Sequence, residues 1–249
     1  MTAKKRRRMS NLLEELGEKY KPTKRNHDYL KHYWRHLGDR RLEVRKFIEI
    51  GIQSDRSINM WEEFFPNARI YGIDIDPKCR EYAGGRKEVF IGSQADKRFL
   101  AEVVERVGPG IDVIIDDGSH VAEHQIFTFD HLLPAMTENG IYVIEDTGGV
   151  VGDTGLKTVN VIKSLVDHIY YWPEGFNGGN WPFLSRFPET ATWVDRNIVG
   201  AAFYRWIVFV MRGRNPQDNL FLRKPGPGEK LLPNTDGSMP RWLIDSLEK

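Results

Sequence analysis

Five short apolar segments constrain the fold of this chain more than any other feature. They begin at residues 46, 69, 88, 111 and 140, and each is nearly continuous in apolar side chains. Strands of this kind are buried on both faces, as in a parallel sheet that is covered by helices. Helices are compatible with the intervening segments, which are 54–65, 77–84, 96–107 and 121–136. The alternation therefore predicts a doubly wound, mostly parallel α/β fold.

The flanks of this region predict a helical cap before the sheet and an antiparallel addition after it. Between residues 10 and 37, apolar side chains recur every three or four positions, which indicates one or two helices. Residues 197–213 predict an antiparallel edge hairpin or one long strand. We therefore divide the chain into a tail and helical cap (1–45), an α/β domain (46–215) and a C-terminal extension (216–249). The aromatic segment 170–193 within the domain is either a packed loop or a lid over a ligand.

The net charge and the cysteine content indicate which binding partners and which cellular compartment to expect. Lys plus Arg number 36 and Asp plus Glu 35, so the net charge of +1 gives no reason to expect nucleic acid or a membrane surface as partner. The basic run at 4–8 is interpreted as a solvated tail, with RNA or an anionic surface as the alternative. The single Cys79 excludes an internal disulfide framework. Since no apolar run approaches the roughly 20 residues of a membrane span, we expect a soluble, cytoplasmic protein.

Acidic residues stand at the ends of four of the five predicted parallel strands. They are Glu49 on the first strand, Asp74 on the second, Asp116 and Asp117 on the fourth, and Glu145 and Asp146 on the fifth. The carboxyl ends of parallel strands meet at one edge of a sheet, where ligands bind in such folds. Any one of these acids could be only a helix N-cap. Together they predict a functional site.

The pattern favours two kinds of bound group. An acid at the end of the second strand, here Asp74, is placed to accept hydrogen bonds from ribose hydroxyls. The turn after the first strand, GIQSDRS, has one glycine and lacks the pattern that cradles a pyrophosphate, which favours S-adenosylmethionine as cofactor. Asp117, Glu145 and Asp146 supply oxygen ligands, which favour Mg²⁺ or a similar hard cation. Asp116 and Asp117 point to opposite sides of their strand, and we assign Asp117 to the metal.

Segment 46–147 resembles the class I S-adenosylmethionine-dependent methyltransferases. Within it, three motifs are similar to the Mg²⁺-dependent sugar O-methyltransferases, the family of the mycinamicin and macrocin enzymes. These motifs are MWEEFFPNARIYGIDIDP, IDDGSHVAEHQIFTFDHLLP and GIYVIEDT. Upstream, KRNHDYLKHY (24–33) is similar to a family segment that closes over the cofactor, with Lys24, His27 and Tyr29 as matching positions.

The resemblance assigns roles to individual residues. It implies that His120 is the general base and that Asp117, itself part of the catalytic centre, binds the metal with Glu145 and Asp146. The implied cofactor-binding residues lie after the first four strands; they are Glu49, Gly51, Gln53, Ser54, Asp74, Ser93, Gln94, Asp96 and Asp116.

The predicted function is therefore divalent-metal-dependent O-methylation of a sugar hydroxyl, in a natural-product glycoside, a glycolipid or a polysaccharide. Three carboxylate ligands leave positions in an octahedron for two neighbouring hydroxyls, so we expect a substrate with vicinal hydroxyls. Two alternatives stay open: an O-methyltransferase of a catechol-like phenol, and a non-catalytic nucleotide- or RNA-binding protein. The N-terminal helices are suited to subunit contacts, and we expect a homo-oligomer.

Overall fold

The structure, a computed structural model, describes residues 11–148, 154–169 and 192–215, and these residues contain one seven-stranded sheet. The strands are β1 (Lys46–Ile50), β2 (Arg69–Asp74), β3 (Lys87–Ile91), β4 (Ile111–Asp116), β5 (Met136–Ile144), β6 (Ile198–Tyr204) and β7 (Ile207–Arg212). Their spatial order is β3-β2-β1-β4-β5-β7-β6. β7 runs antiparallel to both of its neighbours, β5 and β6, and strands β1 to β5 pair in parallel. The predicted doubly wound fold with an antiparallel C-terminal strand is confirmed.

Helices cover both faces of the sheet. They are α1 (Leu12–Tyr20), α2 (Thr23–Asn26), α3 (Leu30–Leu37), α4 (Asp55–Phe64), α5 (Lys97–Val107), α6 (Ala122–Leu132), α7 (Thr154–Ile169) and α8 (Trp193–Asn197). Helices α1, α3 and α4 pack on the face that carries Phe47, Val113 and Val143. Helices α5, α6 and α7 pack on the other face, against Ile48 and Ile114. The alternation of side chains along each strand explains this division into two apolar clusters.

The N-terminal cap contains three helices, where the periodicity predicted one or two. Lys21 ends α1 in the left-handed conformation, with φ 52°, and Pro22 then separates α1 from α2. Helix α3 buries Leu30, Tyr33 and Leu37 on one side. Because these residues join the same cluster as Trp61 and Phe209, the cap is part of the core. This packing carries α2 and the start of α3 to the carboxyl ends of the parallel strands.

Two elements differ from their predicted form. Strand β5 begins at Met136, four residues before the predicted start at 140, because Met136 pairs with Ile111 before a register irregularity in β4. Residues 77–82 form a 3₁₀ helix that Asp76 caps by accepting a hydrogen bond from the Lys78 amide. The predicted edge hairpin is present as β6–β7.

The basic run 4–8, the extension 216–249 and all but the last two residues of the aromatic segment 170–193 lie outside the described residues. In the part of the chain that the structure describes, every helix is too short or too polar to cross a bilayer.

Candidate active site

A buried lysine lies among the carboxylates at the strand ends. The Lys24 ammonium nitrogen is 3.1 Å from Glu49 Oε1 and 2.9 Å from Glu145 Oε1, and it also contacts Asp117 Oδ2. Only 1% of the Lys24 side chain is exposed. Burial by itself would lower the pKa of Lys24, but Asp117, Glu145 and Glu49 raise it well above its usual value. The ammonium group is therefore charged and neutralises part of the acidic cluster.

Glu49, at the end of β1, is fully buried, and both of its carboxylate oxygens have partners within the protein. Its carboxylate accepts hydrogen bonds from the Ser57 hydroxyl at 2.8 Å and the Trp61 indole at 3.1 Å, both on α4, and from Lys24. Burial raises the pKa of Glu49, and the Lys24 charge opposes that rise. The predicted contact of Glu49 with the cofactor stays a prediction.

Glu145, just beyond β5, lies on the buried side of the same cluster. The Tyr33 hydroxyl donates a hydrogen bond to Glu145 Oε1, the oxygen that also contacts Lys24. Burial and the neighbouring Asp117 raise the pKa of Glu145, against the effect of Lys24 and Tyr33. Gln125 on α6 fixes the backbone at this point by donating to the Glu145 carbonyl at 3.0 Å.

Asp117, His120 and Asp146 form a second, more accessible group beside Lys24. Each offers one ligand atom, and these atoms all lie within 4.8 Å of one another. His120 Nε2 is 3.7 Å from Asp146 Oδ2, and the Tyr29 hydroxyl donates to Asp146 Oδ1 at 2.7 Å. His120 Nδ1 is buried without a hydrogen-bond partner among the described residues. His27 Nδ1 approaches Asp146 Oδ1 to 3.5 Å.

This second group fits a divalent cation. Three carboxylates, from Glu49, Asp117 and Glu145, contact one lysine ammonium. Asp146 adds a fourth beside Asp117, so the carboxylates outnumber the ammonium group and a cation would balance their charge. The carboxylates of Asp117 and Asp146 are ligands that a hard cation accepts, and the His120 imidazole lies beside them. Among the described residues, the group of converging ligand atoms does not include Glu145. The metal-ligand role of Glu145 stays a prediction.

The backbone is strained at this edge of the sheet. Six described residues other than glycine have positive φ, and four of them lie at the strand ends: Gln53 (45°), His120 (56°), Asp146 (52°) and Trp206 (65°). Such conformations cost of order 1–3 kcal/mol each and persist where the surrounding structure holds them. The strain is therefore concentrated where the predicted ligands converge.

Gly51 allows the turns after β1 and β4 to touch. Its φ is 81°, and a Cβ at this position would lie 2.1 Å from the Asp117 carbonyl oxygen. The Asp117 amide in turn donates to the Ile50 carbonyl at 2.9 Å. A side chain at residue 51 would displace Asp117, so the single glycine of this turn has a structural reason.

Asp74 holds the turn that follows β1. Its Oδ2 accepts a hydrogen bond from the Gln53 amide at 2.8 Å, and its Oδ1 accepts from the Asp76 amide at 2.9 Å. Ser54 is the N-cap residue of α4 in the same turn. The structure thus brings Gly51, Gln53, Ser54 and Asp74 together, as expected for residues that line one ligand. Their contacts with a cofactor stay predictions.

The remaining predicted cofactor residues support the turn after β4 or begin α5. Gln94 donates to both carboxylate oxygens of Asp116, at 3.0 and 3.1 Å, and accepts from the Ser119 amide at 2.7 Å. Burial raises the pKa of Asp116 to about 6. Ser93 accepts from the Ala95 amide, and Asp96 caps α5. Gln94 and Asp116 are buried with partners inside the protein, so in this structure they position the segment that carries Asp117 and His120.

Sequence reasoning did not predict four residues of this site. Tyr33, Ser57 and Trp61 hold the two buried glutamates, and Trp206 lies against the loop after β5. Tyr29 and Tyr33 are four residues apart on one helical face, a spacing that indicated only apolar packing. The hydroxyl of a buried tyrosine usually has a hydrogen-bond partner, and this rule could have indicated polar contacts for these two residues.

Comparison with known proteins shows that the chain is similar to methyltransferases. No family model matches it. It is 32% identical over 245 residues to mycinamicin VI 2''-O-methyltransferase of Micromonospora griseorubida, covering 90% of this chain and 58% of the relative. It is also 32% identical to demethylmacrocin O-methyltransferase of Streptomyces fradiae, covering 84% of this chain and 55% of that protein. The chain therefore spans a little over half the length of the curated relatives it matches.

A solved structure supports the same relationship. A MycE methyltransferase of the mycinamycin pathway, in complex with Mg and SAH, superposes with a TM-score of 0.70 at 30% identity, covering 94% of this chain and 60% of that one. The strand order and the antiparallel β7 are consistent with the relationship that the sequence similarity indicates. The chain has the fold of the class I S-adenosylmethionine-dependent methyltransferases, and its sequence is similar to sugar O-methyltransferases over a little more than half of their length.

Proposed function

We propose that this protein is an S-adenosylmethionine-dependent and divalent-metal-dependent O-methyltransferase that acts on a sugar hydroxyl of a glycoside. The convergence of Asp117, His120 and Asp146 beside the Asp74 turn carries the proposal, because it puts metal ligands and a base next to the predicted cofactor site. A MycE methyltransferase has been solved in complex with Mg, SAH and mycinamycin VI, which supports the same substrate class here.

Each side chain has a part in the proposed reaction. A bound divalent cation would make a coordinated hydroxyl easier to deprotonate. Asp117 and Asp146 would hold that cation, and the Tyr29 hydroxyl orients Asp146 by donating a hydrogen bond to it. His120 accepts the hydroxyl proton at Nε2, the ring nitrogen that faces Asp146. S-adenosylmethionine, when bound, would supply the methyl group to the substrate oxygen as its carbon–sulfur bond breaks, leaving a methyl ether and S-adenosylhomocysteine.

A substrate panel tests the proposal directly. The purified protein, with Mg²⁺ and S-adenosylmethionine, is incubated with mycinamicin VI, demethylmacrocin, methyl α-L-rhamnopyranoside and catechol. We expect a mass increase of one methyl group on a glycoside and none on catechol. Methylation of catechol alone would favour the phenol alternative, and no methylation of any compound would contradict the proposal.

The His120→Ala variant is expected to lower turnover by about 10² to 10⁴, the usual contribution of general-base catalysis. Affinity for S-adenosylhomocysteine should stay the same, because the predicted cofactor residues, which include those of the turn that Asp74 holds, do not include this histidine. His131→Ala is the matched control, because His131, in the last turn of α6, contacts Phe127 through a hydrogen bond to its carbonyl and through its ring. Near-normal kcat for His120→Ala would show that another group takes the proton.

The Asp74→Ala variant is expected to weaken S-adenosylmethionine binding by about 1.5–3 kcal/mol, the range for hydrogen bonds to a charged group. Asp74 would accept from the ribose while it holds the Gln53 amide. Isothermal titration calorimetry measures the affinity. Asp76→Ala is the control, since Asp76 caps only the following 3₁₀ helix. Equal affinities for Asp74→Ala and wild type would mean that the ribose lies elsewhere.

The domain bounds, the cellular compartment and the oligomeric state are also proposals. We infer a cap at 1–45, a methyltransferase domain at 46–215 and a C-terminal extension at 216–249. We infer a cytoplasmic homo-oligomer, which the single buried Cys79 and the exposed Val199 and Phe203 on edge strand β6 support. Light scattering should then give a multiple of 28.9 kDa, and a monomer mass would contradict the oligomer.

A further inference from the structure

The β6–β7 hairpin turn lies beside the proposed metal site. Tyr204 pairs with Ile207, so Arg205 and Trp206 form the tip of the hairpin. Pairing of Ile144 with Val208 places this tip just beyond the end of β5. The Thr147 amide donates to the Trp206 carbonyl at 3.0 Å. The Tyr29 hydroxyl bonds Asp146 Oδ1 at 2.7 Å and lies 3.4 Å from the same Trp206 carbonyl.

The Trp206 ring is held in a fixed position that leaves much of it exposed. Its φ of 65° is unusual for a bulky side chain and occurs where the surroundings impose it. Gly148 makes room for the indole, since a Cβ there would lie 2.0 Å from Trp206 Cδ1. The Arg205 guanidinium is 4.4 Å from the ring centroid. Even so, 46% of Trp206 is accessible.

We propose that Trp206 is a specificity-determining residue whose indole packs against the apolar C–H face of the sugar that is methylated. The inference rests on the proposed function and names the surface that orients its substrate. A rigid aromatic ring gives a large apolar contact at little cost in side-chain entropy. The Trp206 carbonyl accepts from the Thr147 amide and lies near the Tyr29 hydroxyl, which bonds Asp146. A sugar packed on the indole would therefore present a hydroxyl to the Asp117–His120–Asp146 group.

A second exposed tryptophan provides a matched control. Trp193 is 38% exposed, and the Arg212 guanidinium lies 5.1 Å from its ring centroid. Arg212 pairs with Ile198 at the opposite end of the hairpin from Trp206. Six residues of strand separate the two ends by about 20 Å. Trp193 therefore has the same residue type and a similar arginine neighbour, far from the strand ends that carry the acids.

The test measures KM and kcat for mycinamicin VI and methyl α-L-rhamnopyranoside, with S-adenosylhomocysteine affinity measured separately by calorimetry. We expect Trp206→Ala to raise KM for both glycosides by at least about tenfold while kcat changes less than about threefold. Trp206→Phe should restore KM to within about threefold of wild type. Trp193→Ala should match wild type, and S-adenosylhomocysteine affinity should be unchanged in every variant.

Each contrary result has its own meaning. An unchanged KM in active Trp206→Ala protein overturns this inference and leaves the proposed function standing. A rise in KM for mycinamicin VI but not for the rhamnoside overturns the sugar contact, because the ring would then touch the aglycone. Loss of S-adenosylhomocysteine affinity together with activity overturns it as well, since Trp206 would be only structural. A wild-type protein that methylates neither glycoside contradicts the proposed function and this inference with it.

Discussion

Asp117→Asn is expected to abolish methyl transfer while the protein still folds and binds S-adenosylhomocysteine. Asp117 supplies one of the three converging ligand atoms, and an amide is a much poorer ligand for a hard cation than a carboxylate. The fold should persist, because Lys24 keeps Glu49 and Glu145 as buried partners. Turnover, Mg²⁺ affinity by calorimetry and the thermal unfolding curve check the three parts of this result.

Metal removal should reproduce the effect of the substitution. Wild-type activity is expected to disappear in EDTA and to return when Mg²⁺ is added in excess. Asp130→Asn, on the exposed side of α6, is the control and should retain wild-type turnover and metal affinity. Full activity in EDTA, or an Asp117→Asn enzyme that turns over normally, would rule out a catalytic metal at this group.

The second large effect is expected on stability, from Lys24→Met. Removing one partner of a buried ion cluster leaves uncompensated charge, which typically costs about 3–5 kcal/mol. The variant would leave Glu49, Asp117 and Glu145 close together without the ammonium group. Urea denaturation at pH 7 in EDTA measures the loss in free energy of unfolding.

The loss in free energy of unfolding caused by Lys24→Met should also depend on pH. Burial raises the pKa of Glu49 and of Glu145, the latter to about 8, and Lys24 opposes both shifts. A carboxyl group whose pKa is higher in the folded state favours folding at low pH and disfavours it as pH rises through the folded value. The defect of Lys24→Met should therefore be larger at pH 8 than at pH 5.

Lys19→Met is the matched control for the lysine. Lys19, on α1 of the same N-terminal cap, forms a surface ion pair with Glu63 of α4, and its side chain is 55% exposed. Exposed pairs of this kind contribute little to stability, so Lys19→Met should unfold much like wild type at both pH values. Equal destabilisation by the two variants, or no loss from Lys24→Met, would contradict the view that Lys24 neutralises the buried acids.

Local patterns predicted the elements of this fold because their causes are local. Nearly continuous apolar runs at 46–51 and 111–118 indicated strands buried on both sides, and the two strands begin at the predicted residues and end at Ile50 and Asp116. The start of β5 was predicted four residues late, because its first residue is set by pairing with Ile111. The hairpin β6–β7 was predicted as one of two possibilities, and the register with β5 decided between them.

The sequence by itself determined which edge of the sheet carries the acids, since the carboxyl ends of parallel strands meet there. It also indicated Asp117, His120 and Asp146, which the structure brings together. Only the tertiary structure decided that Lys24 lies among the carboxylates, 93 residues from Asp117 in the chain. It also placed Trp206 against the loop after β5. Such contacts depend on how the cap and the hairpin pack on the sheet, and no local periodicity along the chain records that packing.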